Sequence, residues 1–154
     1  MTGGKATTFA DFLGELTSEH SHALTITLKN DLPTESLKNR RIRLEETIRH
    51  LLYRIARLCY KNRHKRFGLS IGSVCVIENG FKHGRLHAHL SLARPNEIKQ
   101  GEFEAIVLTA ISRCRSLGVQ RVLTPITDSH GWATYMAKEG PEAFVPKGTQ
   151  HAKA

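Results

Sequence analysis

From Thr34 or Ser36 to the sequence KNRHKRFG, the residues Leu44, Ile48, Leu51, Leu52, Ile55 and Leu58 recur at helical spacing. A long helix with one continuous apolar stripe needs a broad hydrophobic surface to lie on, and a sheet is the usual partner. The stretches around it read as that sheet. HALTITLKN (His22 to Asn30) alternates Leu24, Ile26 and Leu28 with Thr25, Thr27 and Lys29, the pattern of a strand with one buried face. LSIGSVCVIE (Leu69 to Glu78) is β-branched and apolar, NGFKHG is rich in turn formers, and RLHAHLSLA alternates again, so the three together predict a hairpin. EFEAIVLTAISRCRSLG puts Phe103, Ile106, Val107, Ala110, Ile111 and Cys114 on one helical face, with Gly118 as its expected C-terminal cap. VQRVLTPI reads as a fourth strand. A short helix from Ser129 to Glu139, opened by Thr127, Asp128 or Ser129 and closed by Gly140-Pro141, completes the order.

This β-α-β-β-α-β order predicts an α+β, ferredoxin-like fold: a four-stranded antiparallel sheet with two helices on one face. The last helix, carrying Tyr135, should lie near the other, open face. The expected organisation is an N-terminal segment (1–21), one domain (22–140) and a C-terminal tail (141–154).

Composition narrows the partners. With 40% hydrophobic and 24% charged residues the chain reads as a globular protein. No apolar run is long enough to span a bilayer, and the N-terminus lacks the pattern of a secretory signal, so a cytoplasmic protein without membrane partners is expected. Cys59, Cys75 and Cys114 are far apart in apolar surroundings and read as buried free thiols. Lys and Arg number 23 against 14 acidic residues, a net charge of +9, which points to a polyanionic partner.

On a strand, alternate residues share a face, so His87, His89 and Ser91 point away from Leu86, Ala88, Leu90 and Leu92. The apolar set must meet the helices, which leaves both imidazoles on the open face. If the loop is Asn79 to Gly84, residue 78 pairs with 85 and 76 with 87, and Glu78 reaches the histidine face. Two imidazoles, a carboxylate and open positions suit Mg²⁺ or Mn²⁺ acting on a phosphate. The second pair, His20 and His22, precedes the strand and reads as a solvated approach segment. On the last helix Tyr135 and Lys138 are three apart and share a side. A phenol titrates near pH 10, so a nucleophilic tyrosine needs a neighbouring cation such as Lys138.

A histidine-hydrophobic-histidine strand followed by Tyr-x-x-Lys on a helix resembles the HUH endonuclease superfamily, most nearly its single-tyrosine rolling-circle replication initiators. LTITLKN corresponds to the family's early strand motif, RLHAHLSL to its metal motif and YMAK to its nucleophile motif, in matching order from about residue 22 to 140. The resemblance implies that His87, His89 and Glu78 bind a divalent metal, Mg²⁺ or Mn²⁺. Tyr135 would attack the scissile phosphate to give a 5′-phosphotyrosine and a free 3′-hydroxyl, and Lys138 would neutralise developing charge. The implied substrate is single-stranded DNA at a plasmid or phage origin, a hairpin being one form of it. With no helicase domain following, unwinding and synthesis would fall to a separate host helicase and polymerase. A single-tyrosine transposase or relaxase is the alternative within the superfamily.

Eleven basic residues lie between Lys38 and Arg66, and most read as the solvated face of the long helix. Lys29, Arg40, Arg41, Lys82, His83 and Arg85 are the candidates for DNA contact. Tyr53 and Tyr60 read as packing residues, and Trp132 and His130 as helix packing with a possible role in base stacking. A non-catalytic nucleic-acid module on the same fold would carry strand aromatics for stacking, whereas the open-face positions here offer Thr25, Thr27, His87 and His89. An inactivated relative kept for protein contacts is a third reading.

Overall fold

A computed structural model describes residues 8–29, 31, 34–79 and 85–153. Its order is α1 (Phe9–Thr17), β1 (His22–Leu28), α2 (Leu37–Tyr60), α3 (Asn62–Phe67), β2 (Ser73–Asn79), β3 (Leu86–Leu92), α4 (Gln100–Ser112), β4 (Leu117–Pro125) and α5 (Ser129–Met136), followed by 3-10 turns at Pro141–Ala143 and Pro146–Gly148. The four strands form one antiparallel sheet in the order β2-β3-β1-β4, the arrangement of a ferredoxin-like α+β fold.

The alternation in the strands decides which face is dry. Leu24, Ile26 and Leu28 from β1 and Leu86, Ala88, Leu90 and Leu92 from β3 meet Leu44, Ile48, Leu51 and Ile55 of α2 and Phe103, Val107 and Ile111 of α4. Burying each large side chain contributes roughly 1.5–3 kcal/mol, so this layer supplies most of the stability. Ser36 caps α2 by accepting from Asn39 N at 3.2 Å. At Lys61 the backbone turns to φ 53°, and the basic run expected only to stop the helix forms α3, which ends at Gly68 with φ 61°. That left-handed position suits glycine.

Several sequence expectations need correction. Helix α4 ends at Ser112, and Gly118, expected as its cap, lies inside β4. There a Cβ would come within 2.7 Å of Thr27 Oγ1 and 3.0 Å of Leu28 O, so close strand approach explains the glycine. Neither His20 nor His22 is solvated. His22 opens β1 on the helix-facing side, 1% exposed and with its ring 5.2 Å from that of Phe103, while His20 Nδ1 bonds Ser91 Oγ at 2.9 Å. Tyr60 packs in the core as expected, but Tyr53 is 55% exposed, on the outer side of α2.

The face opposite α2 and α4 is only partly open. Helix α1, to which no element was assigned in sequence, packs on α5, and both cover the β2 side of that face. Leu13, Ala133, Met136 and Ala143 cluster there with Val74 and Val76. The tail runs along the outer edge of β2, with isolated bridges Val76 to Phe144, Ser73 to Gln150 and Ser70 to Lys153. It thereby pairs backbone groups that an edge strand would otherwise expose. The β4 side stays open, with Gln120, Val122 and Thr124 exposed. All three cysteines are buried free thiols, and among the described residues no helix is long and apolar enough to cross a membrane.

Candidate active site

The hairpin register builds the site. Glu78 pairs directly with His87 and Val76 with His89, so the connection is residues 80–85 rather than the expected 79–84. The pairing has slipped by two residues, an even number, so Glu78 keeps the histidine face. Across the other edge of β3, Thr25 opposes His89 and Thr27 opposes His87.

Contacts then follow from these positions. Glu78 Oε2 lies 2.5 Å from His89 Nε2, and Thr25 Oγ1 lies 2.9 Å from His89 Nδ1. His89 is 4% exposed, and its burial holds the imidazole below its ordinary range even against the pull of Glu78. A neutral His89 carries one ring proton. Ionised Glu78 can only accept, so the short contact places that proton on Nε2, and the Thr25 hydroxyl donates to Nδ1. His87 lies parallel to His89, with ring centroids 6.4 Å apart and 7° between planes, and its Nε2 is 3.2 Å from Gln120 Oε1.

Helix α5 brings in the tyrosine. Asp128 caps it by accepting from Gly131 N at 2.9 Å, and its buried Ala133 and Met136 fix the exposed side toward the strand histidines. The Tyr135 ring sits 5.1 Å from that of His89 and stacks on Trp132 at 5.4 Å, yet the residue is 43% exposed. Lys138, just past the helix, places Nζ 2.9 Å from Glu78 Oε1 and 4.1 Å from the centre of the Tyr135 ring. Burial opposes its charge, but the bonds to Glu78 and Tyr135 outweigh that and hold Lys138 above its ordinary range. Burial likewise works against ionised Glu78, but its bonds to Lys138 and His89 prevail and keep it below the usual carboxylate range.

His87, His89, Glu78, Tyr135 and Lys138 therefore come together from β2, β3 and the end of α5. Two imidazoles and a carboxylate on one face are a donor set suited to a divalent ion; His87 Nε2–H donates to Gln120 Oε1, which leaves the unpartnered lone pair on its buried Nδ1. As they stand, Glu78 is engaged with His89 and Lys138, and among the described residues no group of three His, Cys, Asp or Glu side chains is arranged to hold a metal ion.

The proposed DNA contacts scatter. Lys82 and His83 lie outside the described residues. Lys29 and Arg85 are exposed at the hairpin end of the sheet. Arg40 is 5% exposed, and its Nε lies 2.5 Å from Asp31, whose other oxygen accepts from Leu86 N at 2.7 Å. Its charge thus serves a buried link between α2 and the start of β3. Arg41 bonds Glu45 and the carbonyl of Phe144, both at 3.3 Å. Gln120 was missed in sequence. Its signal was Gln120 and Thr124 at alternate positions of the strand, two polar residues at odds with a buried face.

No protein-family model matches the chain, and no curated protein matches it. Among solved structures, a REP-associated tyrosine transposase bound to a REP hairpin is similar at 11% identity, with 77% of this chain and 62% of that chain covered and a TM-score of 0.33. The chain thus spans less than two thirds of that structure's length, and a likeness of this size carries no argument about function.

Proposed function

We propose that this protein nicks and rejoins single-stranded DNA through Tyr135, as an HUH-type endonuclease. The observation that carries this reading is the linkage of Tyr135 to Lys138, and of Lys138 to the Glu78 that also contacts His89. A phenol is a poor nucleophile until it loses its proton, and a cation held against the ring stabilises the phenolate. Lys138 is in that position, anchored by Glu78. The Tyr135 oxygen attacks phosphorus in line, the bond to the departing 3′-oxygen breaks, and the DNA 5′-end is left on the tyrosine. The free 3′-hydroxyl can attack the same phosphorus in reverse, which restores the phosphodiester and releases the tyrosine. Trp132, stacked on Tyr135, holds the ring's orientation while leaving its outer side accessible.

His87, His89 and Glu78 would hold a Mg²⁺ or Mn²⁺ ion, which when bound supplies Lewis-acid polarisation of the scissile phosphate. Thr25 orients His89 for that role, and Gln120 orients His87. The liberated 3′-hydroxyl is a primer, so we assign the activity to initiation of rolling-circle replication, with Tyr-x-x-Lys as the feature that favours it over transposition. Separate helicase and polymerase activities would complete that process.

The test incubates the protein with Mn²⁺ and a tiled set of single-stranded oligonucleotides and looks for a covalent adduct on a denaturing gel. Wild type should give one with a subset of sequences, and Tyr135→Phe none. No adduct with any oligonucleotide would sink the enzymatic reading, and an adduct with Tyr135→Phe would move the nucleophile elsewhere.

A further inference from the structure

Just past α5 the chain is fastened to the end of β2 at two consecutive residues on each side. Glu139 Oε2 accepts from Asn79 N at 3.0 Å, and Lys138 Nζ lies 2.9 Å from Glu78 Oε1. The backbone here is tied down as well, since Lys138 N donates to Tyr135 O at 3.3 Å and Gly140 N to Ala137 O at 3.0 Å. The Lys138 side chain nonetheless stays 39% exposed. Its flexible stem can swing the ammonium into solvent without moving the helix.

The two bonds differ in what could displace them. The Glu139 bond is to a backbone N–H, which no cation can replace. The Lys138 bond is to the one carboxylate of the donor set, and a metal ion is a rival for the same oxygen. Both Glu78 oxygens are engaged, one by the ammonium and the other by His89 Nε2. An incoming divalent ion therefore finds no free carboxylate oxygen, and it meets a positive charge already seated 2.9 Å from the donor it needs.

We infer that Lys138 is a tethered competitor for the divalent ion, holding Glu78 until the ion takes its place, while the Glu139 bond keeps the freed ammonium within reach of Tyr135. This rests on the metal-binding part of the proposed function and does not require that nicking occur. Displacing Lys138 breaks a partly exposed ion pair, a small cost that a divalent ion can meet. The ammonium's other contact is the Tyr135 ring, 4.1 Å from Nζ to the ring centre. His89 must also free its Nε2 lone pair, and the Thr25 hydroxyl, able to accept as well as donate, lets the ring carry the proton on Nδ1 instead. Metal loading would thus turn Lys138 from a partner of Glu78 into a partner of Tyr135 alone.

The test titrates Mn²⁺ into the full chain without DNA and follows loss of the free-ion electron paramagnetic resonance signal. The proteins are wild type, Lys138→Gln, Lys138→Arg and a remote charge control at an exposed position, Lys147→Gln. Thermal melts confirm that all remain folded. Lys138→Gln should bind Mn²⁺ about threefold to twentyfold more tightly than wild type, as expected from removing a partly exposed ion pair and its repulsion of a divalent ion. Lys138→Arg, which keeps a cation there, should bind no more tightly than wild type. The gain should vanish when His89→Ala is added to Lys138→Gln. Unchanged or weaker binding by Lys138→Gln, an equal gain in Lys147→Gln, or a gain that survives His89→Ala would overturn the assignment. Tighter Mn²⁺ binding by Lys138→Gln, with no adduct from wild type on any DNA, would end the nicking reading and leave the competitor standing. Adducts from wild type with an unchanged Mn²⁺ affinity in Lys138→Gln would do the reverse.

Discussion

Glu78 Oε2 rests 2.5 Å from His89 Nε2, a diagonal contact across the hairpin, since the residue directly opposite Glu78 is His87. The carboxylate is also the anchor of Lys138. One side chain thus joins the strand histidines to the helix that carries Tyr135, and its removal should disturb both.

For metal binding, Mn²⁺ at a hundredfold excess over its dissociation constant should stabilise wild type by about 2.7 kcal/mol, read as a rise in melting temperature. Glu78→Gln should lose most of that rise, and the double change His87→Ala with His89→Ala all of it. A full Mn²⁺ shift in the double variant would place the ion elsewhere.

For Lys138, substitution by Gln should slow adduct formation by about tenfold to a hundredfold at neutral pH, in the range typical of positioned charge and proton-transfer groups. Lys138→Arg, which keeps a cation at that position, should recover part of the rate. Adduct formation by Lys138→Gln at the wild-type rate would limit Lys138 to holding Glu78 in place.

His20 supplies a pH dependence remote from the proposed chemistry. Burial, reinforced by nearby His151 and only partly offset by the bond to Ser91, lowers its pKa from 6.5 to about 4. Between those values the unfolded chain takes up a proton that the folded chain refuses, so the contribution is complete above pH 6.5 and is lost as pH falls towards 4. Urea denaturation at a series of pH values should show this decline in wild type and a flatter one in His20→Gln. Identical slopes would assign the acid sensitivity to other groups.

Arg40 and Arg41 are adjacent in sequence and should respond differently. Arg40→Ala leaves Asp31 buried without its guanidinium and should cost about 3–5 kcal/mol in urea unfolding, the range for breaking a buried ion pair. Arg41→Ala, at a more exposed pair with Glu45, should cost about 1 kcal/mol or less. Comparable losses would mean that the Asp31 pair is not what holds α2 to β3.

The faces of this protein were legible in its sequence because strand alternation has a period of two. Any even slip preserves the face, so Glu78 could be placed beside the histidines although its direct partner was not Arg85 but His87. Contacts between distant segments were less legible. The burial of Arg40 depends on Asp31, nine residues earlier and across a turn, and one more arginine in a basic run gives no sign of it. Helix α1 is a nine-residue element whose apolar residues find their partners in α5, more than a hundred residues away, so no local pattern announces the pairing. Gly118 followed a helix and resembled a cap, whereas its cause is the neighbouring β1 backbone.

That same pairing of α1 with α5 bears on the order in which the site can assemble. The donor face on β2 and β3 is synthesised before Tyr135, and the helix bearing Tyr135 docks on α1, which is made earlier than either. A nascent chain halted before Ser129 would contain the histidines and Glu78 but not Tyr135. Under the proposed function, such a product would carry the donor set and form no adduct with DNA.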